Sequence, residues 1–442
     1  MTSRAFTSVT RSATRRGAMT AGAILAAGSL AILTGCAAGA APATTADPDE
    51  EVTLNFAWWG DASRAERYEA AIDLFEEQNP NITIQTSFAG FGDYWTARNT
   101  EAASRTLPDV FQMDLAYLAE YGGFGHVVPL DDYLGDAIQT DAIDPSLVEA
   151  GAVDDEIFGL ASSSSTLATL YNGPLLEQLG IEVPDGQVTW DEYDEFLAEV
   201  AAAGASLDPT VYGSLDYTQY FWLFQIWLGQ QGLTFIDGDE LGFEQSDLAD
   251  WWARSATIQE SGAVLPPERQ AQLEGVDALG VAEIASDISW ANFLPRFTEG
   301  PASPELSLAM PPYDDADNTG MFLKPGLMLS IATNSEHPDQ AAAFIDFLVN
   351  DPEVGAIFGM SRGVPSSSTA ADGIDASELD EKILAYQEEV SDKLDGAAPP
   401  AVNGLGTLEQ TFVAISQDVA YGAATPDEAA ERWFTEAENA LK

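Results

Sequence analysis

Three short stretches of the sequence combine tryptophan or tyrosine with carboxylates and amides. They are Trp58-Trp59-Gly60-Asp61, the aromatic run Tyr217–Leu228, and Ser289-Trp290-Ala291-Asn292. Aromatic faces can cover flat C–H surfaces, while Asp, Asn, Gln and Arg side chains can hydrogen-bond to hydroxyl groups. This mixture is the one expected in a pocket for a polar, uncharged ligand such as a sugar.

Tryptophan is also a common core residue, and the two roles must be separated. Four tryptophans fall on the apolar faces of predicted helices, and we assign them to the core: Trp190, Trp251, Trp252 and Trp433. Trp59 and Trp290 stand instead at a strand end or in a turn. We therefore interpret these two as ligand contacts.

The residues present argue against a metal site and against cysteine-based catalysis. With two His and one Cys, the chain can hardly form a His/Cys zinc site or a Cys–His nucleophile. The acidic stretch 314–320 faintly resembles a calcium loop, but Gly326 stands where that loop needs its final Glu. We expect a solvated loop there, no metal site and no cofactor.

The charge balance excludes further classes of protein. The 442 residues include 17 Lys and Arg against 72 Asp and Glu, a net charge of −55. A nucleic-acid-binding protein needs clustered basic residues, so we expect no nucleic-acid partner. The charge also disfavours electrostatic adsorption to an anionic membrane and favours a soluble monomer. The length predicts two or more domains.

The amino terminus predicts an exported protein that is attached to a membrane. An apolar segment, Ala18–Leu33, follows four arginines and is too short for a comfortable bilayer span, but it fits a signal-peptide core. It ends in Leu33-Thr34-Gly35-Cys36, which matches the lipobox of bacterial lipoproteins. We predict lipidation of Cys36, the new amino terminus after cleavage. The alternative is a cysteine that merely ends an ordinary signal peptide.

The region therefore divides into a lipoprotein signal peptide, residues 1–35, and a flexible tether, residues 36–51. The tether is rich in Ala, Gly, Thr and Pro and lacks periodicity and core residues. Arg15-Arg16 fits a twin-arginine export motif only loosely, so the general secretory and twin-arginine routes both stay open.

The chain that follows alternates strands with helices. Apolar residues at every second position over 52–58 predict a strand, and Ser63-Arg64-Ala65-Glu66 is a capping box that predicts a helix start. Further strands are predicted from Ile82 and over Val110–Met113. This βαβ alternation predicts a parallel sheet, with Trp59 and Asp61 at its carboxyl edge, where ligands bind in open α/β sheets.

Helices are more frequent in the later part of the chain. Capping boxes at Thr189–Glu192 and Thr425–Glu428 predict two helix starts, and an amphipathic helix is predicted over Ser246–Glu260. A strand is predicted near Leu327–Ile331, followed by a helix that begins at Pro338.

The lipobox, the tether and Leu54-Asn-Phe-Ala-Trp-Trp-Gly60 together resemble the start of an extracellular solute-binding protein of the maltose-binding type. These proteins are the capture components of ABC importers. Further matching stretches follow in family order: Phe75–Ile82, Leu107–Asp114, Val128–Asp131, Ile157–Leu160, Leu170–Asn172, Thr189–Glu192, Ile284–Trp290, Ser335–Ala342 with Phe347-Leu348, and Thr425–Ala429.

The resemblance implies an α/β fold of the periplasmic-binding-protein kind, with two lobes, a ligand cleft between them and a hinge that the chain crosses three times. By similarity, the crossings lie near Leu160–Ser165, Leu327–Ile331 and Ser368–Asp375. The N-terminal lobe would comprise residues 52–160 and 330–372. The C-terminal lobe would comprise residues 161–329 and 373–442.

The resemblance also implies ligand-binding positions. Those carried over from the family are Trp59, Asp61, Asp114, Ser163, Ser164, Trp290 and Arg362. Spacing and side-chain chemistry add Tyr94, Tyr220 and Trp222. The sequence departs from many relatives at Lys324-Pro325-Gly326, where a Gly-Gly pair often precedes the late strand, so the resemblance carries over no ligand contact from this segment.

The function implied is a receptor without chemistry of its own, anchored by lipidated Cys36 on the outer face of the bacterial cell membrane. It would capture a sugar or oligosaccharide and deliver it to the permease subunits of an ABC importer. The membrane would be contacted through the lipid alone. The alternative is a secreted carbohydrate-active hydrolase that uses two of the many carboxylates as acid and base.

Overall fold

The computed structural model describes residues 51–237, 240–273, 276–298, 300–400 and 402–441. The predicted signal peptide, the lipobox with Cys36 and residues 36–50 of the tether lie outside the described residues. In the part of the chain that is described, no helix has both the length and the apolar character that a membrane span requires.

The strands are, in chain order, β1 (Val52–Trp59), β2 (Ile82–Ala89), β3 (Val110–Met113), β4 (Ala152–Val153), β5 (Glu156–Ile157), β6 (Leu160–Ser165), β7 (Leu167–Asn172), β8 (Ile236–Asp237), β9 (Glu240–Leu241), β10 (Ser286–Trp290), β11 (Leu306–Ala309), β12 (Met321–Ile331), β13 (Val364–Pro365) and β14 (Leu394–Ala397).

The α-helices are α1 (Ala62–Gln78), α2 (Phe91–Ser104), α3 (Leu115–Gly123), α4 (Pro145–Glu149), α5 (Gly173–Leu179), α6 (Trp190–Gly204), α7 (Phe221–Gln230), α8 (Gln245–Glu260), α9 (Pro267–Gln272), α10 (Leu294–Thr298), α11 (Pro338–Asn350), α12 (Pro352–Phe358), α13 (Ser368–Ala371), α14 (Glu378–Ser391), α15 (Leu405–Ala420) and α16 (Pro426–Ala440).

A seven-stranded sheet contains the predicted βαβ units. Its strand order is β13-β6-β12-β3-β1-β2, and β14 pairs with β12. Strand β1 is parallel to both β2 and β3, as the alternation of strands and helices predicts. Strand β12 is antiparallel to β3 and to β6. The pairing of β14 with β12 is parallel again. The sheet is therefore mixed, with parallel pairs among β1, β2 and β3 and between β12 and β14.

A second sheet has the order β10-β7-β11 and is antiparallel. The two sheets and their helices form the mixed α/β architecture that the sequence predicts. The four tryptophans assigned to the core are buried, with exposed fractions of 0–1%.

Strand β12 has a kink at Leu327. Its residues 324–326 and 328–329 pair with β6 in one continuous register, and Leu327 is skipped. The φ angle of Leu327 is +47°, in the left-handed region that residues other than Gly, Asn and Asp seldom adopt. The hydroxyl of Ser162 donates a 2.8 Å hydrogen bond to the carbonyl of Leu327 and so supports the kink.

Of the three predicted capping boxes, two are confirmed as helix starts and one is wrong. Thr189 and Thr425 each form a complete capping box. Helix α1 begins two residues earlier than the Ser63 box predicts, because the carboxylate of Asp61 accepts the backbone N–H of Arg64 and acts as the N-cap.

Candidate ligand-binding site

Asp114 marks the point where strand β3 ends and helix α3 begins. Its Oδ1 accepts a 2.9 Å hydrogen bond from the backbone N–H of Ala116, which caps the helix. Its Oδ2 lies 3.1 Å from the ammonium of Lys324 on strand β12. One carboxylate therefore both caps a helix and forms an ion pair with a distant strand.

The ammonium of Lys324 also faces two tryptophan rings. It lies 4.7 Å from the ring centroid of Trp222 and 5.8 Å from that of Trp290. Both distances are within the range of cation–π attraction. Trp222 comes from the first turn of α7 and Trp290 from the end of β10. The side chain of Lys324 is only 12% exposed, so these contacts are largely shielded from water.

Glu409 of helix α15 completes this group. Its Oε1 accepts a 2.9 Å hydrogen bond from the indole nitrogen of Trp222. Burial, and after it the negative charge of Asp114, raises the pKa of Glu409, while Lys324 and the Trp222 hydrogen bond act in the opposite direction, and the net result is a pKa of about 7. We call Asp114, Trp222, Trp290, Lys324 and Glu409 the lysine cluster.

Trp59 and Tyr94 form a second group, where the end of β1 packs against α2. Their rings meet edge to face with centroids 5.4 Å apart, and Phe91 meets Trp59 in the same way. Trp59 is partly exposed, whereas Tyr94 is buried and its hydroxyl donates to the carbonyl of Gln112 at 2.6 Å. Burial raises the pKa of Tyr94 well above its ordinary value. Trp59 is thus partly accessible to solvent, while the Tyr94 ring that packs against it is not.

Asp61 lies next to this group and is exposed. One of its oxygens is used in capping α1, and the guanidinium of Arg64 reaches back to the carbonyl of Trp59 at 2.9 Å. The segment between β1 and α1 is therefore fixed by its own hydrogen bonds.

The predicted serines and Arg362 lie where β6 meets β12 and β13. The hydroxyl of Ser163 donates to the carbonyl of Arg362 at 2.5 Å, and Ser164 accepts from the amide of Gln387 at 3.3 Å. The guanidinium of Arg362 is buried 3.8 Å from the ring centroid of Phe358, and burial lowers its pKa. Its backbone thus contacts Ser163, while its side chain packs against α12.

Tyr220 is paired with a carboxyl group that the sequence does not single out. Its hydroxyl lies 3.5 Å from Oδ1 of Asp287 on β10. Asp287 is 3% exposed, and this burial raises its pKa to about 8. The carboxyl group is therefore largely protonated at neutral pH.

Comparison with known proteins defines the class of this chain. The sequence profile of the bacterial extracellular solute-binding proteins matches residues 61–354. The chain belongs to this family. Among solved structures, a family 1 extracellular solute-binding protein from Alicyclobacillus acidocaldarius is similar with 27% identity and a TM-score of 0.64, over 89% of this chain and 100% of that one.

Two further structures share the fold. A periplasmic oligogalacturonide-binding protein from Yersinia enterocolitica, solved with saturated digalacturonic acid, has 22% identity and a TM-score of 0.77 over 88% of this chain and 99% of its own. An ABC substrate-binding protein from Listeria monocytogenes, solved with cycloalternan, has 18% identity and a TM-score of 0.74 over 87% and 97%. The solute-binding protein described here thus has the two-lobed fold of periplasmic binding proteins.

The structure brings three of the ten predicted site residues into the lysine cluster: Asp114, Trp222 and Trp290. Trp59, Tyr94 and Asp61 lie together at the end of β1, and Ser163 and Arg362 are hydrogen-bonded to each other. Sequence reasoning missed Glu409 and Asp287 and did not propose Lys324 as a contact. Glu409 falls within an ordinary amphipathic helix and carries no local signal. Lys324 could have been noticed as one of four lysines in the chain.

Proposed function

We propose that this solute-binding protein captures a sugar or oligosaccharide between its two lobes and delivers it to an ABC importer. The observation that carries this proposal is the position of Trp290, which is partly exposed and whose ring faces the ion pair of Lys324 with Asp114. A tryptophan face bordered by charged and polar groups suits the alternating C–H and hydroxyl surfaces of a sugar ring.

The similar proteins support the same ligand class. The structural relatives from Yersinia and Listeria were solved with a digalacturonic acid and with cycloalternan, both saccharides. The family is one of binding proteins, so the proposal includes no catalytic step. In this proposal, the N-terminal lobe comprises residues 52–160 and 330–372, and the C-terminal lobe comprises residues 161–329 and 373–442. The proposed site comprises the ten predicted residues, of which Trp59, Asp61, Asp114, Tyr220 and Trp290 are at least partly exposed in this structure and the other five are buried.

The proposal also includes a location. The family is extracellular, and we propose that a lipid on Cys36 holds the protein on the outer face of the cell membrane, where it meets the permease as a monomer. The flexible tether after Cys36 would let the lobes reach the permease.

A thermal-shift screen tests the ligand class. A ligand at about 100 times its dissociation constant stabilises the folded state by about 2.7 kcal/mol, so a bound sugar would raise the melting temperature measurably. Neutral and acidic mono- and oligosaccharides are screened in parallel with amino acids and polyamines. Stabilisation by amino acids or polyamines and by none of the sugars would contradict the proposal. Assaying the same sugar mixtures for new reducing ends tests the alternative of a hydrolase.

A further inference from the structure

We propose that Lys324 occupies part of the ligand site in the unliganded protein and competes with the ligand for Trp222, Trp290 and Asp114. The inference rests on the proposed function, because it assumes that a sugar binds at the lysine cluster. It assigns Lys324 the role of an internal competitor that sets the affinity.

The geometry of the lysine cluster is the first support. A sugar ring that stacks on Trp290 must lie against the ring at van der Waals distance, and the ammonium of Lys324 already lies 5.8 Å from that centroid. The same ammonium lies 4.7 Å from the centroid of Trp222. A sugar stacked on either ring face that Lys324 covers would need the space that the lysine now fills.

The ion pair is the second support. Asp114 is a predicted hydrogen-bond acceptor for ligand hydroxyls, and its Oδ1 is committed to capping α3. Its Oδ2 is the oxygen paired with Lys324 at 3.1 Å. A ligand hydroxyl must therefore share or replace the ammonium at this oxygen.

The backbone indicates which part of Lys324 can move. Lys324 pairs with Ser165 and its neighbour Pro325 pairs with Ser164, so the strand is held in the sheet. The side chain, in contrast, is a flexible four-carbon stem that ends in a strongly hydrated ammonium. Its rotation toward solvent would uncover the tryptophan faces without a change in the strand.

The remaining lysines in the described part of the chain provide a comparison. Lys382 donates to the carbonyl of Leu306, and Lys393 lies near the carbonyl of Ala316. Neither has an ion pair or a tryptophan contact among the described residues. Lys382 is therefore a suitable control for removal of a lysine outside the cluster.

The decisive variant is Lys324→Ala, with Lys382→Ala as its matched control. Binding of glucose, maltotriose, cellotriose and xylotriose is measured by isothermal titration calorimetry for the wild type and for both variants. We expect Lys324→Ala to bind a sugar from this set roughly tenfold more tightly than the wild type, or to bind one that the wild type does not bind measurably. Lys382→Ala should bind as the wild type does.

Unchanged or weaker sugar binding by Lys324→Ala would contradict the inference. A residue that donates a hydrogen bond to the ligand would lose affinity on truncation, so equal or weaker binding by Lys324→Ala overturns the competitor role and leaves the proposed function intact. If none of these sugars binds to any of the variants, the proposed function fails for this set and the inference fails with it. If Lys324→Ala does not fold, the same titrations are made with Lys324→Gln, which keeps a polar side chain without the ammonium. The same criterion then applies.

Discussion

Trp222 and Glu409 are joined by a 2.9 Å hydrogen bond from the indole nitrogen to Oε1, although 187 positions separate them in the sequence. The bond connects helix α7 to helix α15 beside the ion pair of Asp114 and Lys324. A tryptophan with an apolar ring and a polar edge is thereby fixed in orientation by a carboxyl group.

This arrangement predicts a contribution of Glu409 to the pH dependence of stability. The pKa of Glu409 is raised from 4.5 to about 7 in the folded protein, so the folded state binds this proton more tightly than the unfolded state. The resulting stabilisation is present below about pH 4.5 and is lost as the pH rises through about 7. Glu409→Gln keeps a neutral acceptor for Trp222 and should remove this component.

The measurement compares melting temperatures of the two proteins between about pH 5 and about pH 8. We expect the wild type to lose on the order of a few degrees more than Glu409→Gln over this range. Asp287 also has a raised pKa and is present in both proteins. The contribution of Glu409 is therefore the difference between the losses of melting temperature in the two proteins. If the melting temperatures of the two proteins fall equally with pH, the pKa of Glu409 is not raised in the folded protein.

Trp290→Ala should weaken sugar binding while leaving the unliganded fold nearly intact. Trp290 is partly exposed, and loss of a stacking face in a closed pocket corresponds to about 2–4 kcal/mol, or roughly 30- to 1000-fold in affinity. Calorimetric titration with a sugar identified in the screen measures the affinity, and thermal melting without ligand measures the fold.

Trp433→Ala is the contrasting variant for this experiment. Trp433 is fully buried, and its indole nitrogen donates to the carbonyl of Leu408 at 3.2 Å. Its truncation should cost about 3–5 kcal/mol of folding free energy. If Trp290→Ala instead resembles Trp433→Ala, with low stability and near-normal affinity, Trp290 belongs to the core and the proposed site is misplaced.

Ligand binding should bring the two lobes closer together. Contacts from both lobes to one ligand can form only in the closed state, and such differential contacts shift the equilibrium toward closure. Small-angle scattering at saturating sugar should therefore give a smaller radius of gyration than scattering without it. An unchanged radius at saturation would rule out hinge closure as the response to binding.

Cys36→Ser should release the protein from the membrane fraction without affecting sugar binding. Cys36 is the only cysteine in the chain and follows Leu33-Thr34-Gly35 directly. Fractionation of cells that express each form, with binding measured on the purified proteins, gives the result. A variant that stays with the membrane after its signal peptide has been removed would disprove the lipid anchor.

Local sequence predicted several of the individual elements, and the ordered matching stretches predicted the family. The alternation of apolar residues over 52–58 predicted β1, and the capping boxes at Thr189 and Thr425 predicted α6 and α16. Each of these signals depends on side-chain periodicity or hydrogen bonds within a few residues. The start of α1 was misplaced by two residues, because the carboxylate of Asp61 caps the helix in place of Ser63.

Only the tertiary structure decided how the site is assembled. Lys324 and Asp114 are 210 positions apart, and they meet because β12 lies between β3 and β6. Glu409 reaches Trp222 because α15 packs beside α3 and α7. Such contacts depend on strand order, register and helix packing across the whole chain, and no pattern within a short stretch of residues encodes them.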